Sequence, residues 1–200
     1  MPPFVGPEEV AHFVVRHRAW IEARVERLKT LAPRAHAPLP ERVTLAALGD
    51  EWRVEYQPRD SAGYRARDGV LTVYGDPAVA GYPRQQLRSW LTEEARSALG
   101  RWLAEVALET GCRYQRVQLR RQRTRWGSCS RSGTISLNVC LLFQPPDVVR
   151  YLLIHELCHT REMNHSARFW SLVESFEPDF RSLDRLLSKG WQQVPDWLYA

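Results

Sequence analysis

His155-Glu156-Leu157-Cys158-His159 sets two histidines four residues apart, with a glutamate directly after the first. On a helix, residues four apart stand one above the other, so both imidazoles can reach one ion while Glu156, about 100° round, reaches water bound to it. This is the arrangement of a zinc hydrolase. A catalytic zinc commonly holds three protein ligands and leaves one position to water, and His165, six residues beyond His159, is the candidate third. To reach the ion it needs the helix to end near Arg161 and the chain to fold back at Asn164, a residue type that tolerates left-handed geometry. Glu174 and Glu177 are the reserve ligands should His165 point elsewhere. Two plainer readings compete: a buried helix that happens to carry two histidines, and a structural zinc. The first would leave His155, Glu156 and His159 buried and unpaired, at high cost. The second calls for four ligands, often cysteines, whereas Cys158 lies off the histidine stripe.

The elements that must hold these residues are visible in the flanking sequence. Pro145-Pro146-Asp147 opens a helix, since proline is favoured in the first turn and an acid there suits the helix dipole. Its apolar residues carry it to about Arg161. Ser166 is the expected N-cap of a further helix bearing Phe169, Trp170, Val173 and Phe176, and Pro178 precedes a last helix ending near Gly190. Residues 116–120 and 134–139 alternate as strands, and between them lies a turn-rich stretch from Thr124 to Gly133. Tyr151 lies one turn before His155, where a core position and a hydrogen bond near the metal both fit.

Upstream, apolar residues at three- and four-residue steps predict an amphipathic helix over residues 8–31, ended by Pro33 and Pro38. Residues 42–74 switch to a period of two, with Asp68-Gly69 marking a type I′ hairpin. A second long helix follows over residues 84–110, with Gly111 as its C-cap. The fold class expected is α+β, with a soft boundary near Tyr82-Pro83: residues 1–82 as a helix-plus-strand subdomain, and 83–200 carrying the HExxH helix.

The chain has 200 residues, 44% of them apolar and 26% charged, enough to bury a core. No apolar run approaches the roughly 20 residues a membrane helix requires, so a transmembrane span is excluded. The start shows neither a basic n-region nor an apolar h-region, and a cytoplasmic location is expected. Four scattered cysteines, without a CxxC pair, read as packing thiols. The net charge of +5 permits an acidic partner without requiring one. Its densest part is Arg113 to Arg125, with six arginines, a stripe able to meet the phosphates of a nucleic acid, although no nucleic-acid-binding motif accompanies it. Zinc deaminases are excluded, because no Pro-Cys-x-x-Cys accompanies the histidine.

Five stretches together resemble the YgjP-like metallopeptidases, the DUF45 group, which is related to SprT-like and Wss1-like zinc proteases. They are Thr124-Arg-Trp-Gly-Ser-Cys129, Ile135-Ser-Leu-Asn138, His155-Glu-Leu-Cys-His159, Asn164-His-Ser166 and Phe169-Trp170, in the family's order and approximate spacing. The clear match covers residues 117–187. The resemblance implies a zincin-like core of active-site helix and small sheet, one catalytic zinc on His155, His159 and His165, and Glu156 as acid and base. Cys158 stands where the family usually has a small residue such as alanine, and the resemblance places no counterpart for the strands of residues 42–74.

The chemistry expected is hydrolysis of a protein or peptide substrate by a zinc-activated water, with Glu156 as general base. Peptides commonly add as a strand to an exposed sheet edge, and residues 134–139 are the expected edge, with Trp126, Gly127 and Asn138 facing the cleft. A core Trp126 and a turn-forming Gly127 are the competing readings. The rival function is a non-catalytic zinc module that binds nucleic acid or protein. A third reading is a protease acting on DNA-bound proteins.

Overall fold

The structure, a computed structural model, describes residues 7–18, 22, 38–79 and 81–199. The chain divides into two compact units, residues 1–37 with residue 200, and residues 38–199. In the first, α1 (Pro7–Arg16) starts on a proline, and the Phe13 and His17 rings stack at 4.2 Å. The remainder of the helix expected to residue 31 lies largely outside the described residues.

The second unit begins with a four-stranded sheet in the order β1-β2-β4-β3, built from β1 (Arg42–Leu45), β2 (Asp50–Pro58), β3 (Gly63–Arg67) and β4 (Val70–Gly75). The predicted hairpin joins β3 and β4: Asp68 has φ 53° and Gly69 φ 74°, the paired left-handed residues of a type I′ turn. Alternation in β4 sends Leu71 and Val73 inward, both fully buried.

Helix α2 (Tyr82–Thr110) carries Pro83 in its first turn and stops at Gly111, whose φ of 62° is the left-handed C-cap that glycine adopts without penalty. Leu87, Leu91, Ala95, Leu99 and Leu103 recur every four residues and are fully buried, with Trp90 beside them. This stripe is the spine of the unit's core.

A second sheet has the order β5-β7-β6, from β5 (Arg116–Arg120), β6 (Gly127–Cys129) and β7 (Thr134–Asn138). Here the structure corrects an expectation. Residues 134–139 are not an edge, because β7 is flanked by β5 on one side and β6 on the other. The edges are β5 and β6, the latter three residues hidden in a stretch that reads as turn. A 3-10 helix (Val139–Phe143), completely buried, leads into α3 (Pro146–Cys158), and α4 (Ala167–Phe176) and α5 (Phe180–Lys189) follow. The α+β class and the pairing of the HExxH helix with a small mixed sheet are as expected. Among the described residues no helix is long and apolar enough to cross a membrane.

Candidate metal centre

Helix α3 is buried along most of its length: Val149, Leu153, Ile154, Leu157 and Cys158 are fully enclosed. The remaining side holds His155 and Glu156, and His159 caps the C-terminal end. The chain then turns through Thr160 and Arg161, whose amides donate to the carbonyls of Leu157 and Cys158 at 3.0 Å. The return does not use a left-handed Asn164, since Asp68 is the only described non-glycine residue with positive φ. Instead the Asn164 carbonyl accepts the Ser166 amide at 2.7 Å, a tight local turn. Ser166 caps α4 as expected, its hydroxyl accepting from the Phe169 amide at 3.4 Å.

This turn delivers His165 to the other two histidines. Its Nε2 lies 3.1 Å from His155 Nε2 and 3.2 Å from His159 Nε2, and one nitrogen from each ring falls within 4.8 Å of the others. Imidazole nitrogens bound to one tetrahedral zinc at about 2.0–2.1 Å stand roughly 3.3 Å apart, so the observed spacing suits such an ion. The opposite nitrogens fix the tautomers. His159 Nδ1 donates to the Glu162 carbonyl at 3.0 Å, and His155 Nδ1 faces the Tyr151 hydroxyl at 3.4 Å. That hydroxyl itself donates to Asp184 Oδ1 at 2.8 Å, leaving its lone pair for the His155 N–H. Both Nε2 atoms therefore turn unprotonated lone pairs toward the common centre, a repulsive arrangement that a cation resolves.

An aromatic wall holds the rings in place. Phe169, fully buried, stacks on His159 at 4.3 Å and meets His155 edge-on at 4.9 Å, while Trp170 stacks on His165 at 5.5 Å. Tyr151 thus satisfies both readings open to it: it is buried, and its hydroxyl links His155 to Asp184. Asp184 is a functional candidate that sequence reasoning missed. It sits on α5, 29 residues from His155, and no spacing connects the two.

Glu156 is 4% exposed and its Oε2 has no hydrogen-bond partner. Burial lifts its carboxyl to about 8. Its neighbour across the gap is Gly127 on β6: a Cβ there would stand 2.5 Å from Glu156 Oε1 and 2.9 Å from Cδ. Gly127 therefore makes room for the carboxylate rather than serving a turn, and it is the one cleft candidate that the structure brings to the site. Trp126 is buried and stacks on Trp191 at 4.1 Å. Asn138, 1% exposed, donates from Nδ2 to the carbonyls of Gln122 and Arg125 at 2.7 and 2.8 Å and accepts from the Cys140 amide. Its carboxamide shapes the loop that leads into β6. Of the reserve ligands, Glu174 pairs with Arg181 at 2.9 Å, and Glu177 lies 3.7 Å from Arg150.

Burial, then the charges of His159 and His165, lowers His155 to about 3, and burial lowers His159 as well. The metal-free protein consequently carries two opposed pH dependences. The folded value of His155 lies below its ordinary 6.5, so its contribution to stability is complete above pH 6.5 and is lost as pH falls toward 3. The folded value of Glu156 lies above its ordinary 4.5, so its contribution is complete below pH 4.5 and is lost as pH rises toward 8. Unfolding free energies of metal-free protein from urea titrations are expected to be highest near pH 6.5, since the lowered His155 and His159 together outweigh Glu156 below that value and Glu156 acts alone above it, each proton contributing at most about 1.4 kcal/mol per pH unit. A free energy that climbs steadily through neutral pH would contradict the buried, neutral states of both groups.

The description "YgjP-like, metallopeptidase domain" belongs to the family model that matches residues 1–189. Among curated proteins, none matches the chain. Solved structures are similar over part of it, among them two metallopeptidase zymogens. The metallopeptidase zymogen abylysin of Pyrococcus abyssi is 28% identical with a TM-score of 0.41, over 45% of this chain and 92% of that one. The metallopeptidase zymogen jannalysin of Methanocaldococcus jannaschii is 14% identical with a TM-score of 0.40, over 45% and 93% respectively. Both alignments cover less than half of the present chain, whereas the family model spans nearly all of it.

Proposed function

Since the chain belongs to the YgjP-like metallopeptidase family, we propose that it hydrolyses peptide bonds at a single zinc held by His155, His159 and His165, with Glu156 as general base. The observation that carries this reading is the convergence of three imidazole nitrogens beside a buried carboxylate oxygen that has no partner. A bound zinc there supplies the charge that acidifies a water and polarises a peptide carbonyl. The protein's own residues do the rest. Tyr151 and the Glu162 carbonyl hold His155 and His159 in the tautomer that leaves Nε2 free. Glu156 takes the proton of the attacking water and returns it to the leaving nitrogen. In the metal-free protein burial raises its basicity above that of a solvated glutamate.

A non-catalytic zinc module would close its site with a fourth protein ligand. Among the described residues only the three histidines group together as possible ligands, which favours an open position for water. The unpaired side of the half-buried strand β6 is the place for a peptide to add as a strand, because Gly127 on that strand abuts Glu156.

The Gly127 contact provides a test. In zinc-loaded protein with chelator-sensitive hydrolysis of a fluorogenic peptide, Gly127→Ala is expected to lower kcat by about 10–100-fold, since the added methyl displaces the base. Zinc content should stay at one per chain. Combined with Glu156→Gln it should add almost nothing, because both changes remove the same function. Independent, multiplying losses would place Gly127 and Glu156 in different roles.

A further inference from the structure

Strand β6 is three residues long and pairs with β7 on one side only. So short an edge holds little order of its own, because fixing its backbone costs entropy that few contacts return. The connection that leads into it, residues 121–126, contains neither helix nor strand, and Arg121 to Arg125 are all exposed. Burial therefore anchors this connection only where it reaches Trp126. The rest of its order must come from hydrogen bonds to elements outside it.

Asn138 on β7 supplies two such bonds, donating to the carbonyls of Gln122 and Arg125. Tyr199 supplies others from far along the sequence. Its hydroxyl donates to the same Gln122 carbonyl at 3.1 Å, and its own carbonyl accepts from Arg123 Nη2 at 3.0 Å. The Arg123 guanidinium also lies 4.7 Å over the Tyr199 ring. Of the arginines between 113 and 125, Arg116 donates to Thr134 Oγ1 at 3.2 Å and Arg120 to Gln118 Oε1 at 2.6 Å, both within the second sheet, whereas Arg123 ties the connection to Tyr199. Tyr199 in turn reaches out from a fixed base. It follows the 3-10 turn Asp196–Leu198, where Trp197 and Leu198 are buried and the Leu198 carbonyl accepts from Arg88 Nε at 2.9 Å. Its hydroxyl oxygen stands 3.1 Å from the buried Cys140 Sγ, and burial raises its pKa, so it remains a donor.

We propose that Tyr199, clasping the β5–β6 connection through Arg123 and the Gln122 carbonyl, is a positioning residue that keeps β6 in the form to which a substrate strand pairs. The link runs along the chain: Gly127, which abuts Glu156, follows Arg123 by four residues. The catalytic consequence rests on the peptidase reading, whereas the ordering of β6 does not. If β6 is ready only part of the time, the apparent affinity for substrate falls by that fraction, while a substrate strand once paired completes the order itself. Loss of the clasp should therefore raise KM and spare kcat. Gly127→Ala, which displaces the base, acts on kcat instead.

Hydrogen–deuterium exchange of the full chain supplied with zinc, read by mass spectrometry, tests the ordering. Arg123→Gln, at an exposed position, and Tyr199→Phe, which keeps the ring and loses the hydroxyl, should each speed exchange in residues 122–129 by at least about threefold, and Tyr199→Ala should exceed both. Exchange in the first sheet, residues 42–75, should match the parent. The control Arg59→Gln removes a guanidinium that lies 4.7 Å over the Tyr74 ring, and it should leave residues 122–129 unchanged. With a fluorogenic peptide, Arg123→Gln and Tyr199→Phe should raise KM by about three- to tenfold, with kcat within about twofold of the parent. Parental exchange in residues 122–129 of both variants would overturn the clasp. Faster exchange with a parental KM, or with a fall in kcat alone, would overturn its role in positioning. A parent that hydrolyses no peptide would count against the peptidase reading alone, since exchange still decides whether Tyr199 orders β6.

Discussion

Glu156→Gln is expected to reduce peptide hydrolysis by about 10²–10⁴-fold, the range a positioned general base supplies, equivalent to about 3–5 kcal/mol of barrier. The amide matches the carboxylate in size but takes no proton from water. Zinc content should remain at one per chain, because Glu156 is turned toward Gly127 and is not grouped with the three imidazoles. Stability should be equal or higher. Glu156 Oε2 is buried without a partner, and a neutral amide there avoids the desolvation that lifts the acid to about 8. Metal analysis, thermal unfolding and a peptide assay on one preparation separate these effects. An unchanged rate would remove Glu156 from the mechanism, whereas loss of zinc would make it a ligand.

His165→Ala carries the second large effect. Removing an outer partner of a metal-bound histidine costs about 10–100-fold in affinity, and removing a ligand itself should cost more than that. Zinc should therefore fall well below one per chain after dialysis against a mild chelator, and hydrolysis should be lost with it. The fold should survive, because His165 is exposed on the turn between α3 and α4, while the core contacts there come from Phe169 and Leu157. Retention of zinc at full stoichiometry would move the third ligand elsewhere. Glu174 and Glu177 would then have to leave their arginine partners to reach the ion.

Much of this site is legible in the sequence because it is local. The two histidines and the glutamate lie within five residues of one helix, where a fixed 100° per residue sets their directions. The start of that helix at Pro145-Pro146, the Ser166 cap and the Asp68-Gly69 hairpin are likewise statements about neighbours, and all stand in the structure. The β6 strand is not legible in this way. Its three residues, Gly127 to Cys129, sit among serines, arginines and glycines that favour turns, and they become a strand only because β7 offers its free side. Placing β7 at the edge follows from reading two strands where there are three. For Trp126 local sequence fits both a cleft and a core position, and for Asn138 it shows a strand residue without its partners; in the structure one packs on Trp191 and the other bonds three backbone groups.

The sequence by itself determined the reactive groups, their helical spacing and the kind of ion that suits them, because side-chain chemistry and local geometry need no distant partner. Tertiary structure decided the rest. Only the packing of α4 against α3 brings His165 Nε2 within 3.2 Å of both other ligands, and only α5 supplies Asp184 to the Tyr151 hydroxyl that orients His155. Only the approach of β6 to α3 shows why residue 127 lacks a side chain. The arginines divide in the same way: their number is a property of composition, but the bond from Arg123 to the Tyr199 carbonyl joins residues 76 positions apart. Such contacts form when buried surfaces fit together, and their pattern is set by the whole core rather than by any one segment.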